Sequence, residues 1–180
     1  MNTGTQIYPF SKTLLLVGMM GCGKTSIGLR LSKIYELPFV DADSEIEKAS
    51  GLSVVDLFEK YGEDEFRRGE ERVMERLLNG PVCILSSGGG AFMSEKTRDL
   101  ARQKTISLFL DADIETLIRN TTGRSHRPLL NTENPEETVK KLHAERYETY
   151  RQADLHVSYK NEGLAEIVRR VAETVRDKKP

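Results

Sequence analysis

Gly18-Met19-Met20-Gly21-Cys22-Gly23-Lys24-Thr25 stands directly after the apolar run Thr13-Leu14-Leu15-Leu16-Val17. Glycines let a backbone turn so that successive amides face one concavity, which suits phosphate oxygens. The spacing G-x-x-x-x-G-K-[ST] is that of a phosphate-binding loop, with Lys24 reaching the outer phosphates and Thr25 ligating Mg²⁺. A helix beginning at the lysine adds its positive end. The plain alternative is a glycine-rich turn that only packs a strand on a helix. With an apolar run before and an amphipathic stretch after, the motif predicts a nucleoside triphosphate site.

Three further groups could complete such a site. Asp41-Ala42-Asp43 ends a second apolar run, and in an extended strand the two carboxylates point the same way. They could hold hydrated Mg²⁺ and orient a substrate hydroxyl, or simply cap the next helix. Gly88-Gly89-Gly90 is conformationally expensive, which calls for close approach of backbone to ligand or for a tight turn. Ser86 and Ser87, just before it, could reach the metal shell, although exposed serines are commonplace. Basic residues form the last group. Arg67 lies in Gly62-Glu63-Asp64-Glu65-Phe66-Arg67-Arg68, where a solvated ion-pair face is the ordinary reading. Arg119, Arg124, His126 and Arg127 surround Gly123 and stop at Pro128, which makes residues 119–131 either a mobile lid or an ordinary surface loop.

The elements needed to position these groups are legible as alternating patterns. Strands are predicted over 13–18, 38–43, 82–87, 104–112 and 153–159. Helices are predicted over 24–36 (with Ile27, Leu31 and Ile34 inward), as a pair over 44–61, then over 63–79, 94–103, 113–120, 135–151 and 162–176. Asn134-Pro135-Glu136-Glu137 is a strong helix start: a capping side chain, proline at the first helical position, and acids in the first turn. Strands alternating with helices predict an α/β fold, a three-layer αβα sandwich around a five-stranded parallel sheet. In such sheets ligands bind beyond the carboxyl ends of the strands, where all the polar groups above fall.

Composition bounds the rest. The chain has 180 residues, 38% hydrophobic and 31% charged, with net charge −1, which predicts one soluble domain without a global field toward nucleic acid or membrane. Two cysteines, Cys22 and Cys83, are too few for a disulfide framework, and His126, His143 and His156 lack metal-ligand spacing. No run approaches a membrane span and residues 1–12 do not read as a signal peptide, so a cytoplasmic monomer is expected.

The motifs GMMGCGKTSIG, FVDADSEIE, GEDEFRRGEERV, SSGGGAF, RPLL and ERYETYRQAD follow one another in the order found in shikimate kinase, a family this chain resembles from about residue 13 to 175. The resemblance implies a P-loop fold of the nucleoside monophosphate kinase type, with a substrate-binding region at about 41–79 and a lid at about 119–131. It implies phosphorylation of the 3-hydroxyl of shikimate by ATP with Mg²⁺, on the route to chorismate and the aromatic amino acids. Residue by residue, it makes Asp43 the catalytic base, with Lys24 and Arg127 catalytic beside it. Gly21, Cys22, Gly23, Lys24, Thr25, Ser26 and Arg127 would contact ATP. Asp43, Arg67, Gly88, Gly89, Gly90 and Arg146 would contact shikimate, and Thr25 and Asp41 the metal. Two departures from the family pattern stand out. Glu148 replaces a frequent proline after Arg146, and Asn120 replaces an arginine that lies against adenine. A gluconate-type kinase and a nucleotide-gated module without catalysis are the competing readings.

Overall fold

A computed structural model describes residues 11–122 and 128–178. Its sheet has the order β2-β3-β1-β4-β5, with every pair parallel. The strands are β1 (Thr13–Val17), β2 (Phe39–Asp41), β3 (Ile84–Ser86), β4 (Thr105–Ala112) and β5 (Leu155–Tyr159). The helices are α1 (Lys24–Tyr35), α2 (Ala42–Ser50), α3 (Val54–Leu78), α4 (Glu95–Lys104), α5 (Ile114–Thr121), α6 (Pro135–Tyr150) and α7 (Leu164–Asp177).

β1 is central, and its run of Leu14, Leu15, Leu16 and Val17 is wholly buried because helices cover both faces. The chain leaves β1 toward the β2 edge through α1, then returns toward β5 through α3, α4 and α6. Right-handed crossovers therefore place α1 on one face and those three helices on the other. α7 turns back and packs on α1. The neighbours β1 and β3 thus send their outgoing connections to opposite faces. That divergence opens a crevice at their carboxyl ends, the place where such sheets bind ligands. The phosphate loop and the triple glycine are the two segments that meet there.

Each predicted strand and helix is present, with instructive differences at their edges. β2 stops at Asp41, because the Asp41 carboxylate accepts the Ser44 N–H at 3.2 Å and so caps α2. Asp43 consequently lies in the first turn of a helix and not on a strand, so strand alternation is not what brings the two acids together. The long α3 is broken at Gly62, whose φ of 78° is non-helical, which matches the boundary read at that glycine. On α1 the inward positions are Ile27, Gly28, Leu31 and Tyr35, and Ile34 is left 51% exposed. Asn134 does cap α6, its side chain accepting the Glu137 N–H at 3.3 Å with Pro135 behind it. Glu148 leaves α6 unbroken and points outward toward Arg151. Cys83 is buried in the core, just ahead of β3. No helix among the described residues is long and apolar enough to cross a membrane.

Candidate active site

The crevice holds a cavity of about 520 Å³. Its walls include the phosphate loop and start of α1, the β2–α2 junction, the first half of α3, the turn after β3 and the end of α5, with Arg146 of α6 on one side.

On the phosphate side, Lys24 is buried and its Nζ donates to the carbonyls of Gly18 (2.7 Å) and Met19 (3.1 Å). It also lies 3.8 Å from Cys22 Sγ. The ammonium is thus held by its own loop, with its charge satisfied by backbone dipoles. Thr25 and Ser26 are exposed toward the cavity, whereas Cys22 is buried, which removes it from direct attack by an outside reagent. Thr25 Oγ1 donates to Asp41 Oδ2 at 3.2 Å. Two adjacent hard oxygen donors beside a phosphate loop fit a magnesium ion that keeps most of its water. Among the described residues no group of three His, Cys, Asp or Glu side chains forms a protein-only metal cage. Ser86 and Ser87 line the cavity, and the Ser87 Oγ donates its proton to Leu16 O at 2.9 Å.

On the other side, the triple glycine is used for close approach. A Cβ on Gly88 would stand 2.6 Å from Glu70 Oε1 and 2.8 Å from Asp43 Oδ1, and one on Gly90 would collide with the Arg67 guanidinium. Gly89 separates the two halves of the site: the same construction there lies 3.5 Å from Met20 N of the phosphate loop and 3.9 Å from Arg146 Nη1. Gly89 O accepts Arg146 Nη1 at 3.3 Å and the Tyr150 hydroxyl. Tyr150 is buried, and that burial pushes its phenol above the ordinary range, so it remains a donor.

The charges at the site are arranged against solvent. Asp43 as a residue is half-buried, but its carboxyl is enclosed. Burial raises its pKa and neighbouring Asp41 raises it further, against the lowering pull of Lys24 and Arg67. Arg67 is not the solvated helix face that its acidic surroundings suggested. It donates to Glu70 at 2.7 Å, with Glu70 only 3% exposed, and reaches Glu63 at 3.2 Å. Phe58 and Phe66 lie 5.8 and 5.3 Å from its guanidinium carbon, adding cation–π attraction. Burial works against the charge on Arg67, but Glu70 and Glu63 outweigh it and hold its pKa above normal. Glu70 is raised by burial despite its ion pair with Arg67.

Glu70 is the residue that sequence reasoning missed. The signal was present in its i+3 spacing from Arg67, but exposed ion pairs on helices share that spacing. The structure brings Gly21, Gly23, Lys24, Thr25, Ser26, Asp41, Asp43, Arg67, Gly89, Gly90 and Arg146 to one cavity, with Gly88 packed behind it. Arg124, His126 and Arg127 lie outside the described residues. At the edges of that segment, Pro128 and Leu129 line the cavity, while Arg119 bonds Thr116 on its own helix at 3.4 Å. Asn120 lines the cavity too, and its amide donates to the Gly21 carbonyl at 2.8 Å. His156 pairs with Asp111 at 2.8 Å on the far edge of the sheet, and His143 packs on Tyr147.

Residues 20–176 match the family described as Shikimate kinase. The chain belongs to that family. A shikimate kinase from Rhodopseudomonas palustris is 47% identical over 147 residues, which is 82% of this chain and 72% of that protein. One from Bradyrhizobium diazoefficiens is 45% identical over 92% of this chain and 80% of its own length. Among solved structures, the shikimate kinase from Acinetobacter baumannii in complex with shikimate superposes with a TM-score of 0.92 at 31% identity, covering 98% of this chain and 99% of that one. Family membership sets aside the gluconate-type reading. The family's enzymes use ATP, which the loop geometry suits.

Proposed function

We propose that this cavity transfers the γ-phosphoryl group of ATP to the 3-hydroxyl of shikimate, giving shikimate 3-phosphate and ADP. One observation carries the reading: Arg67 and Arg146, from helices far apart in the chain, converge on the Gly89–Gly90 turn, one glycine away from the phosphate loop. Two guanidinium forks there suit a carboxylate, and the enclosed Asp43 suits the hydroxyls of the same acceptor.

The steps follow from the positions of the groups. The amides of the Gly21–Ser26 segment that are not bonded within the loop and the Lys24 ammonium bind the phosphates, Lys24 exchanging its loop carbonyls for phosphate oxygens. Arg67 and Arg146 hold the carboxylate, and the backbone at Gly88–Gly90 supports the ring. Asp43 accepts the proton as the 3-hydroxyl oxygen bonds to the γ-phosphorus, and the bond from phosphorus to the β,γ-bridging oxygen breaks to release ADP. Its raised proton affinity strengthens it as an acceptor. Phosphoryl transfer needs positioning and charge neutralisation more than covalent chemistry, which is what this set supplies. Thr25 and Asp41 would hold Mg²⁺, whose chemistry is to neutralise charge on the phosphates when bound. Arg127, from the 119–131 segment acting as a lid, adds a cation at the transferring group and helps exclude water. Residues 41–79 form the acceptor-binding part of a single kinase domain. The protein acts as a cytoplasmic monomer on the route to chorismate, without nucleic-acid or membrane partners.

The test is ADP release with ATP, Mg²⁺ and each of shikimate, gluconate, a nucleoside monophosphate or no acceptor. ADP formed only with shikimate, together with shikimate 3-phosphate as product, is the expected result. Equal release without acceptor would remove the assignment.

A further inference from the structure

A loop that binds anions through its amides has to keep its carbonyls turned away, because each carbonyl oxygen would repel the phosphate. Local structure does part of this: Lys24 takes the Gly18 and Met19 carbonyls, and the Cys22 N–H closes a turn on Met19 O at 3.2 Å. Two further carbonyls, those of Gly21 and Cys22, are held from outside the loop. Asn120 Nδ2, in the last turn of α5, donates to Gly21 O at 2.8 Å. The hydroxyl of Tyr159, the last residue of β5, donates to Cys22 O. These anchors lie 99 and 137 residues along the chain from the carbonyls they hold.

Both bonds have an unambiguous direction. A carbonyl can only accept, so the Asn120 amide must present its nitrogen and Tyr159 its proton. Tyr159 is buried, and burial keeps its phenol protonated far above neutral pH. In a planar trans peptide the carbonyl and the following N–H point in opposite directions. Holding Cys22 O therefore orients the Gly23 N–H, directly ahead of Lys24, while holding Gly21 O fixes the peptide whose own N–H, on Cys22, closes the turn on Met19 O. The contact with α5 is intimate. Gly21 sits at φ 83°, and a Cβ there would lie 2.8 Å from Thr121 Cγ2. Asn120 lines the cavity from this position, so it faces the nucleotide side of the site while gripping the loop.

We propose that Asn120 and Tyr159 are positioning residues for the nucleotide, gripping consecutive carbonyls of the phosphate loop so that it keeps the turn in which its free amides, Gly23 N–H first among them, face the phosphates. The inference rests on the reading that ATP binds this loop. It also gives Asn120 a task of its own, in place of the base contact that an arginine would make there.

Calorimetric titration of the full-length protein with ADP, and separately with shikimate, tests it in wild type, Tyr159→Phe, Asn120→Ala and Asn120→Asp. Tyr159→Phe removes one oxygen and keeps the ring. Asn120→Asp sets a carboxylate against the Gly21 carbonyl. One neutral hydrogen bond corresponds to about three- to tenfold in affinity, so Tyr159→Phe and Asn120→Ala should each weaken ADP by that factor. Asn120→Asp should weaken it further. Shikimate affinity should stay within about twofold, and KM for ATP should rise while KM for shikimate holds. Wild type that binds no ADP would remove the underlying site reading. Wild type that binds ADP alongside variants that bind it equally well would overturn the positioning role alone. Parallel loss of ADP affinity, shikimate affinity and Tm would also overturn it, by reducing both residues to general structural supports.

Discussion

The two halves of the cavity are built in opposite ways. The half proposed for the phosphates is eight consecutive residues, Gly18 to Thr25, which offer mostly backbone amides and one lysine. The acceptor half is assembled from α2, α3, the β3–α4 turn and α6, and its groups are charged side chains held by burial and by one another. Backbone recognition suits a ligand part common to all nucleotides, while converging side chains suit one particular acid. The loop should therefore tolerate changes in the acceptor half, and the acceptor half should tolerate changes in the loop, except where a group serves the transfer itself.

Asp43 and Lys24 are the points at which that independence should fail. Asp43→Asn keeps the shape and removes the proton acceptor, so kcat should fall by about 10²–10⁴ while ATP affinity is retained. Lys24→Ala should lower kcat by about 10²–10³ and weaken ATP, leaving shikimate affinity intact. Single-turnover kinetics with separate binding titrations read both. Near-normal turnover in Asp43→Asn would place the base elsewhere.

Arg67→Ala and Arg146→Ala test the acceptor half alone. Loss of a charge-assisted contact to a carboxylate costs about 1.5–3 kcal/mol, or tenfold to a hundredfold in shikimate affinity, with ATP unaffected. Unchanged shikimate binding in both variants would show that the carboxylate sits elsewhere. A smaller effect belongs to Glu70, which pairs with Arg67 at the wall of the cavity. Glu70→Gln leaves Arg67 charged but loosely oriented, so KM for shikimate should rise about three- to tenfold, less than for Arg67→Ala. An effect on ATP instead would mean that Glu70 supports the loop.

The smallest effect is on stability and follows from the raised pKa of Asp43. Below its ordinary value of 3.8 the carboxyl is protonated in both folded and unfolded chains and contributes nothing. As pH rises, the unfolded chain ionises first and the folded one resists, so folding is penalised, fully so above the folded pKa. Asp43→Asn should therefore melt higher than wild type at neutral pH, by about 2–4 °C per kcal/mol relieved, and the gap should close near pH 3. The acidic limb of the wild-type kcat/KM profile should likewise lie above the ordinary carboxylate range. A wild-type protein that melts higher than Asp43→Asn at neutral pH would contradict the burial argument.

The contiguous half was legible because its chemistry is local. Gly21, Gly23, Lys24 and Thr25 need only a strand before them and a helix after them, and hydrophobic patterning supplies both. The strand and helix order, and with it the parallel sheet, followed from the same patterning. Asn134 and Pro135 marked a helix start because capping is also a short-range interaction. The dispersed half was legible only as residue types, and its roles came from resemblance to a family. Chain order offers helix capping by the Asp41–Asp43 pair only as one of two readings, does not decide that Asp41 takes it and leaves Asp43 in a helix, and does not reveal that Glu70 is buried against Arg67. Nor does it place Asn120 and Tyr159 on adjacent carbonyls of a loop about a hundred residues away. Those facts depend on which connections leave β1 and β3 for opposite faces, and on which side chains the resulting crevice shields from water. Burial and long-range hydrogen bonds are properties of the packed chain, and tertiary structure alone decided them.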